Sequence, residues 1–189
     1  MAASACAPAR WAPPDPAAAE RAARLPSYRA RLRVRLDAPG LRARSRVLVA
    51  FRRPDALRLE VPGPLGARLL AVSRDGRLAA VFPEQRAVYR GEATPAALSE
   101  LFGVALSPQE LIDLLAGVAS TRLRAFRAEW GGDLPRRIEA TLPDGARLRV
   151  DVEDAAGGVA LPSQAFDEPE HGGYRAVDAR EARRMWVAR

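Results

Sequence analysis

The stretch that decides the fold is residues 28–51, which read YRARLRVRLDAPGLRARSRVLVAF. In its first nine residues apolar side chains alternate with arginines, which gives a period of two. Asp37–Gly40 then supplies turn residues, and a similar alternation resumes from Leu41 to Phe51. The pattern predicts a long antiparallel hairpin with one apolar face and one arginine-covered face that is exposed to water.

Further short apolar runs predict more strands after this hairpin. They are residues 57–61, 67–73, 77–82, 86–90, 121–130, 136–142 and 147–152. We also expect two closing strands after Gly157, the second of them within residues 174–182. Together these runs predict an antiparallel meander that is curved or closed, although an ordinary β-sandwich fits the strand spacing equally well.

A helical insert interrupts the strands in the middle of the chain. Residues 94–102 begin with Thr94-Pro95 and predict a short helix. Residues 107–110, Ser-Pro-Gln-Glu, form a capping box with proline at the first helical position, and a leucine-rich run follows as far as Gly117. This second helix has a broad apolar side, so we expect it to pack onto the sheet. The predicted fold class is therefore mostly β with an α-helical insert.

Composition limits the classes of function. The chain has 189 residues, of which 48% are hydrophobic, and this is enough for one domain with a core. Its net charge of +7 comes from arginine, since the sequence contains no lysine. Such an excess is usually a solvated face, and it also fits a partner that carries phosphate, either anionic lipid head groups or nucleic acid. Nucleic acid is the less favoured of the two, because the arginine face carries no interleaved aromatic side chains for base stacking.

Residues suited to catalysis or metal binding are few. The sole histidine, His171, lies in a loop-like context, and Cys6 is the sole cysteine, so neither a metal site nor a disulfide framework is predicted. The sequence has no nucleophile elbow, and its paired glycines are interpreted as turn residues. We therefore expect a protein that is not an enzyme and needs no cofactor, with His171 on a surface loop.

Cys6 follows Ala3-Ser4-Ala5, which resembles the end of a bacterial lipobox. Prolines between residues 13 and 16 then stiffen a segment that would let a domain stand off a bilayer. These features predict a lipid attachment at Cys6, with residues 1–24 as a truncated signal remnant and flexible tether. Residues 25–189 are predicted to be a single domain. The alternative is an ordinary thiol in a tail.

The turn at residues 61–66, VPGPLG, places Leu65 between residues that cannot continue either strand. The order of elements along the chain is the hairpin, this turn, the further strands and then the GVALSP segment at residues 103–108. A leucine-rich helix follows that segment. In this order the elements resemble the LolB family of outer-membrane lipoprotein receptors and the related periplasmic carrier LolA, over residues 28–155. The resemblance implies an incomplete antiparallel β-barrel, that is, a curved sheet covered by short helices that enclose an apolar cavity.

The resemblance also implies a function and a set of site residues. It implies that the cavity accepts acyl chains and that a protruding Leu65 promotes insertion of lipoproteins into the outer membrane. From the residues alone, the alternatives are a filled core without a cavity and a Leu65 that folds back onto that core. We expect the cavity to be lined by apolar residues of the strands and the helix: Leu32, Val34, Val49, Phe51, Leu59, Leu111, Leu114 and Leu115.

Partners and location follow from the same resemblance. Acylated lipoproteins or lipid acyl chains, a periplasmic carrier and the membrane surface are the expected partners, with no nucleic acid and no oligomer. The expected location is the periplasmic face of the bacterial outer membrane, reached through the lipid anchor. The alternative is an unanchored periplasmic carrier of the LolA type, and an arginine-rich nucleic-acid-binding module is less favoured.

Overall fold

The computed structural model describes residues 16–187, so the predicted attachment residue Cys6 lies outside the described residues. The described helices are α1 (Pro16–Ala23), α2 (Pro95–Phe102), α3 (Pro108–Leu115) and α4 (Ala179–Val187). The described strands are β1 (Ser27–Ala38), β2 (Leu41–Arg52), β3 (Ala56–Gly63), β4 (Gly66–Arg74), β5 (Arg77–Phe82), β6 (Ala87–Glu92), β7 (Ala125–Gly131), β8 (Leu134–Thr141), β9 (Arg147–Gly157) and β10 (Arg175–Ala176). No helix within residues 16–187 combines the length and the apolar character that a bilayer crossing requires.

All of these strands pair in one sheet, in the order β10-β6-β5-β4-β3-β2-β1-β9-β8-β7. Neighbouring strands are antiparallel except β10, which runs parallel to β6. Pairing of β1 with β9 joins the two halves of the chain on either side of the helical insert. In the described part of the chain the outermost strands, β10 and β7, do not pair with each other, so the sheet does not close. The predicted fold class, a mostly β protein with a curved, incomplete barrel and short helices, is confirmed.

Three segments differ from the sequence prediction. The first of the two closing strands expected after Gly157 does not form within the described residues, where a short 3-10 helix, Ser163–Phe166, follows Pro162 instead. Residues 174–182 were expected to be a strand, but only Arg175–Ala176 is extended, and α4 begins at Ala179. The helix forms because the Asp178 side chain accepts a hydrogen bond from the Glu181 backbone N–H and because alanine and arginine are good helix formers. The strand predicted from residue 121 is also shorter, since residues 121–124 form a turn before β7.

The main core lies between one face of the sheet, called here the inner face, and helices α2, α3 and α4. The capping box predicted for α3 is present: Ser107 Oγ accepts from the Glu110 N–H at 3.2 Å, and the Ser107 N–H donates to Glu110 Oε2 at 2.8 Å. The buried apolar side chains of α3 are Leu111, Ile112, Leu114 and Leu115. This helix therefore packs onto the sheet as its broad apolar side predicts.

Helix α1 packs on the domain through two small side chains. Ala18 and Ala22 are both buried, and Arg21 forms an ion pair with Asp133 in the β7–β8 turn. The described end of the predicted tether is thus in contact with the sheet.

Candidate functional site

An apolar cavity of about 120 Å³ lies between the inner face of the sheet and the helices. Ser45 is the only polar residue among those of the described chain that line it. The lining residues are Leu32, Val34, Leu36, Ala43, Ser45, Val47, Leu59, Val61, Leu69, Phe102, Val104, Leu111, Leu115, Leu148, Val150 and Trp186. A wall of this composition favours hydrocarbon over polar ligands.

Small inward-facing residues of β2 help to create the cavity. Ala43 lies opposite Leu36 and Ser45 lies opposite Val34 in the β1–β2 hairpin. Neither Ala43 nor Ser45 reaches the helices as a large side chain would, so unfilled space remains between the two layers.

Residues of α2 and α4 close the cavity on the helical side. Trp186 donates its indole N–H to the Leu101 carbonyl at 2.8 Å, and its ring lies 6.0 Å from the Phe102 ring. Sequence reasoning did not identify Phe102 or Trp186 as cavity residues. The spacing of Ala182, Met185 and Trp186 within an arginine-rich run is the helical signal that points to an apolar stripe there.

The cavity has an opening where β2 separates from β3. The two strands pair only between Leu48 and Arg52 on β2, so residues 41–47 pair with β1 alone. Along this unpaired edge Ala43, Ser45 and Val47 line the cavity and remain partly exposed. We call this gap beside residues 43–47 the opening of the cavity.

Five of the residues predicted from the sequence line this cavity, namely Leu32, Val34, Leu59, Leu111 and Leu115. The other three, Val49, Phe51 and Leu114, are buried in the same core but do not line the cavity. The difference arises because Val49 and Phe51 lie toward the other end of β2, where large side chains fill the space.

Leu65 lies in the β3–β4 turn and is 97% exposed. Its neighbour Gly66 has a φ of +120°, in the region that L side chains rarely adopt, so the turn depends on glycine there. Pro64 on the other side has no backbone N–H to donate. The turn thus holds a large apolar side chain in solvent. Because β1 and β3 run in the same direction, this turn lies at the same end of the strands as the β1–β2 turn.

Helix α3 is attached to the sheet by a charged contact. Arg53 donates through Nη1 to Asp113 Oδ1 at 2.6 Å and through Nε to the Leu25 carbonyl at 3.1 Å. The contact links the turn after β2 to the helix that contributes Leu111 and Leu115 to the cavity.

The opposite, outer face of the sheet carries arginines and carboxylates in cross-strand pairs. Asp151 on β9 accepts hydrogen bonds from Arg137 at 2.6 Å and from Arg149 at 3.2 Å. Burial raises the pKa of Asp151, but these two guanidinium groups outweigh it and hold the pKa below its usual value. The outer face is therefore wet and charged, as the arginine stripes predict.

His171 is held within a loop. Its Nδ1 lies 2.5 Å from the Pro169 carbonyl, and its Nε2 contacts the Arg90 guanidinium and the Glu168 carboxylate. Among residues 16–187 no group of three or more histidine, cysteine, aspartate or glutamate residues is placed to hold a metal ion. These contacts give His171 a structural place in the segment that leads to β10.

No protein family and no curated protein matches this sequence. Among solved structures, the chain is similar in fold to a LolA superfamily protein from Nitrosomonas europaea, at 12% identity and a TM-score of 0.44 over 80% of this chain and 96% of that one. It is also similar to a DUF1329 family protein from Desulfovibrio piger, at 12% identity and a TM-score of 0.40 over 80% and 96%. A third is a domain from Vibrio parahaemolyticus named for outer membrane lipoprotein sorting, at 8% identity and a TM-score of 0.40 over 75% and 89%.

Proposed function

We propose that this protein binds the acyl chains of lipoproteins or lipids in its apolar cavity and helps to insert lipoproteins into the outer membrane, as a receptor of the LolB type. The observation that carries the proposal is the cavity itself, whose described lining has Ser45 as its one polar residue. An ordinary filled core would have no such space and no opening to solvent beside it.

The size of the cavity adds a mechanical requirement. An apolar cavity of roughly 150 Å³ holds a molecule the size of benzene, so the present 120 Å³ holds only part of an acyl chain. Sheltering a chain of about 16 carbons from water is worth on the order of 12 kcal/mol, which can drive the helices away from the sheet. The proposal therefore requires that α3 or α4 moves when a full chain enters.

Leu65 is proposed to act at the membrane. Burying one leucine side chain contributes only about 2 kcal/mol, which is too little to anchor the protein but enough to bias delivery into a bilayer. Its almost complete exposure supports a role in contact with something other than the core of this domain.

The alternative is a periplasmic carrier without an anchor. It would use the same cavity but would not require lipid at Cys6. Mass spectrometry of the protein from native membranes distinguishes the two, because an unmodified Cys6 excludes the anchored receptor and favours the carrier.

The proposal is tested by binding and by delivery, measured separately. A fluorescent acylated peptide should bind the purified protein, and Leu65→Glu should leave this binding unchanged while it reduces transfer of a lipoprotein into liposomes by tenfold or more. Leu48→Glu is the matched control, because Leu48 is the other exposed large hydrophobic residue described, at 37% exposure, and lies on β2 rather than in the turn. Failure to bind acylated peptide, or unchanged transfer by Leu65→Glu, contradicts the proposal.

A further inference from the structure

A broad trough on the outer face of the sheet carries an excess of positive charge. It has a volume of about 1040 Å³ and is lined by strands β7, β8, β9, β1 and β2 near the β1–β2 turn. Six arginines and two carboxylates line it, together with small and apolar residues, which leaves an excess of four positive charges. We call this region the arginine trough.

Two of its arginines lack an acidic partner. Arg35 on β1 lies directly opposite Arg44 on β2, and on its other side Arg35 lies opposite Arg149 on β9. Arg149 is balanced by Glu139 at 3.5 Å and Asp151 at 3.2 Å. Within residues 16–187, Arg35 and Arg44 form no ion pair or hydrogen bond through their side chains, and like charges directly opposite each other in a sheet are destabilising. An anion placed between these two guanidinium groups would remove that repulsion.

The arginine trough and Leu65 lie toward the same end of the strands. Strands β1 and β3 both finish at this end of the sheet, and β2 and β9 begin there. The β3–β4 turn that carries Leu65 projects from the same end. Arg183 on α4 donates to the Pro39 carbonyl in the β1–β2 turn, which brings a further positive charge to the same place. A surface that combines a cluster of basic side chains with an exposed apolar residue is suited to binding anionic membranes.

We propose that the arginine trough docks the protein on the surface of a bilayer that contains anionic phospholipids, with Arg35 and Arg44 against the lipid phosphates and Leu65 turned toward the acyl region. The inference deepens the proposed function and rests on it, since it supplies the orientation in which the cavity is presented to the membrane. Nucleic acid is the poorer occupant, because Phe126, the one aromatic residue among the described residues that line the trough, is partly buried and packs against the core instead of standing free to stack on bases.

The test is co-sedimentation with vesicles of phosphatidylcholine, with and without phosphatidylglycerol. The protein should bind the phosphatidylglycerol vesicles more tightly, and the preference should disappear as ionic strength rises from about 0.1 M to 1 M, because the Debye length falls from about 10 Å to 3 Å. Replacing both Arg35 and Arg44 by glutamine should weaken binding about 30-fold, or about fivefold for each basic residue removed from the surface.

Arg29→Gln with Arg31→Gln is the matched control. These two arginines lie on the same strand and the same exposed face and also lack ion pairs in the described chain, but they are toward its other end. At about 3.3 Å per residue, Arg31 is roughly 13 Å and Arg29 roughly 20 Å from Arg35, and both distances exceed the Debye length of about 10 Å at 0.1 M salt. Binding by this control should stay within about twofold of the unmodified protein.

Three outcomes overturn the inference: equal binding to both kinds of vesicle, an equal loss in the control pair, or tighter binding to a DNA oligonucleotide than to the vesicles. Binding of the acylated peptide separates this result from the proposed function. If the peptide binds but the vesicle preference is absent, only the docking inference fails. If the peptide does not bind while the salt-sensitive vesicle preference remains, the proposed function fails instead.

Discussion

The β1–β2 hairpin has two ends that differ on the same inner face. At one end Tyr28 and Phe51 lie opposite each other, fully buried, with ring centroids 5.1 Å apart. At the other end Ala43 and Ser45 occupy the equivalent inward positions and border the cavity. Both ends belong to one continuous antiparallel ladder without a register shift. The difference teaches that the size of a few side chains, rather than the path of the hairpin backbone, decides where the core is filled.

The largest expected effect is at the filled end. Phe51→Ala removes a ring that is fully buried, so it should lower the free energy of unfolding by about 3–5 kcal/mol, measured by urea denaturation. A loss below about 1 kcal/mol would mean that this end is as loosely packed as the other, and the comparison would fail.

Tyr28→Phe is the control for that loss, since it keeps the stacked ring and removes only the hydroxyl. The Tyr28 hydroxyl is buried and has no hydrogen-bond partner within the described residues. Burial is the main cause that raises the pKa of Tyr28 above its ordinary value, and the nearby Asp154 raises it further. Removing an unsatisfied buried hydroxyl should leave stability unchanged or increase it by about 1 kcal/mol.

The sequence predicts that the β1–β2 hairpin forms, but it does not predict which end is filled by large side chains and which end borders the cavity (the open end). Alternation of apolar residues with arginines identifies the hairpin and its inner face, because the period of a strand is local. The same alternation cannot distinguish Val34, which lines the cavity, from Phe51, which does not. That difference depends on Phe102 and Trp186, which reach the sheet from helices far away in sequence.

The start of α3 was predictable because, unlike the cavity lining, it depends only on neighbouring residues. A capping box is written in four consecutive residues, so Ser107 and Glu110 could be assigned before any tertiary contact was known. The closing helix α4 was missed because residues 174–182 alone give little contrast between a period of two and one of 3.6. The helical spacing of Ala182, Met185 and Trp186 becomes visible only when the residues after 182 are included. The exposure of Leu65 agrees with a turn residue that cannot join either strand, and its role at a membrane stays a prediction.

The second-largest expected effect is at the open end of the hairpin, where Ser45 lines the cavity. Ser45→Leu adds a larger apolar side chain beside the opening and into the cavity, so it should weaken binding of the acylated peptide by about tenfold. The free energy of unfolding should change by less than about 1.5 kcal/mol, because the added group enters existing space. Titration with the fluorescent acylated peptide and urea denaturation measure the two quantities.

Arg46→Leu is the control that tests whether weaker peptide binding depends on the position of the added leucine and not on the leucine itself. Arg46 is the next residue on β2, faces the outer side and loses only an exposed ion pair with Glu153. Such a pair contributes about 0–1 kcal/mol, so both peptide binding and stability should remain close to those of the unmodified protein. Equal loss of binding in the two variants would show that ligands do not enter beside Ser45.

The smallest effect is at Glu110, which holds the first turn of α3, the helix that contributes Leu111 and Leu115 to the cavity. Burial raises the pKa of Glu110, but hydrogen bonds from the Ser107 backbone and the Ser120 hydroxyl, with the charge of Arg122, hold the pKa below its usual value of 4.5. A carboxyl with a lowered folded pKa stabilises the protein above its unfolded pKa and loses that contribution as the pH falls through the folded pKa. Glutamine keeps a side-chain oxygen at this capping position but carries no charge. Glu110→Gln should therefore cost about 0.3–1 kcal/mol at pH 7, which is the contribution of a negative charge near a helix N-terminus.

The pH dependence separates this effect from a general loss of charge. The difference in unfolding free energy between Glu110→Gln and the unmodified protein should be constant from pH 7 to about pH 5.5 and should shrink below about pH 4.5. Glu100→Gln on α2 is the control, because its contact with Arg180 is exposed and long, at 3.8 Å, and should change stability little at any pH. If Glu110→Gln costs the same at pH 3 as at pH 7, the ionised carboxylate does not hold α3. The covering of the open end would then depend on the apolar contacts of Leu111 and Leu115 alone.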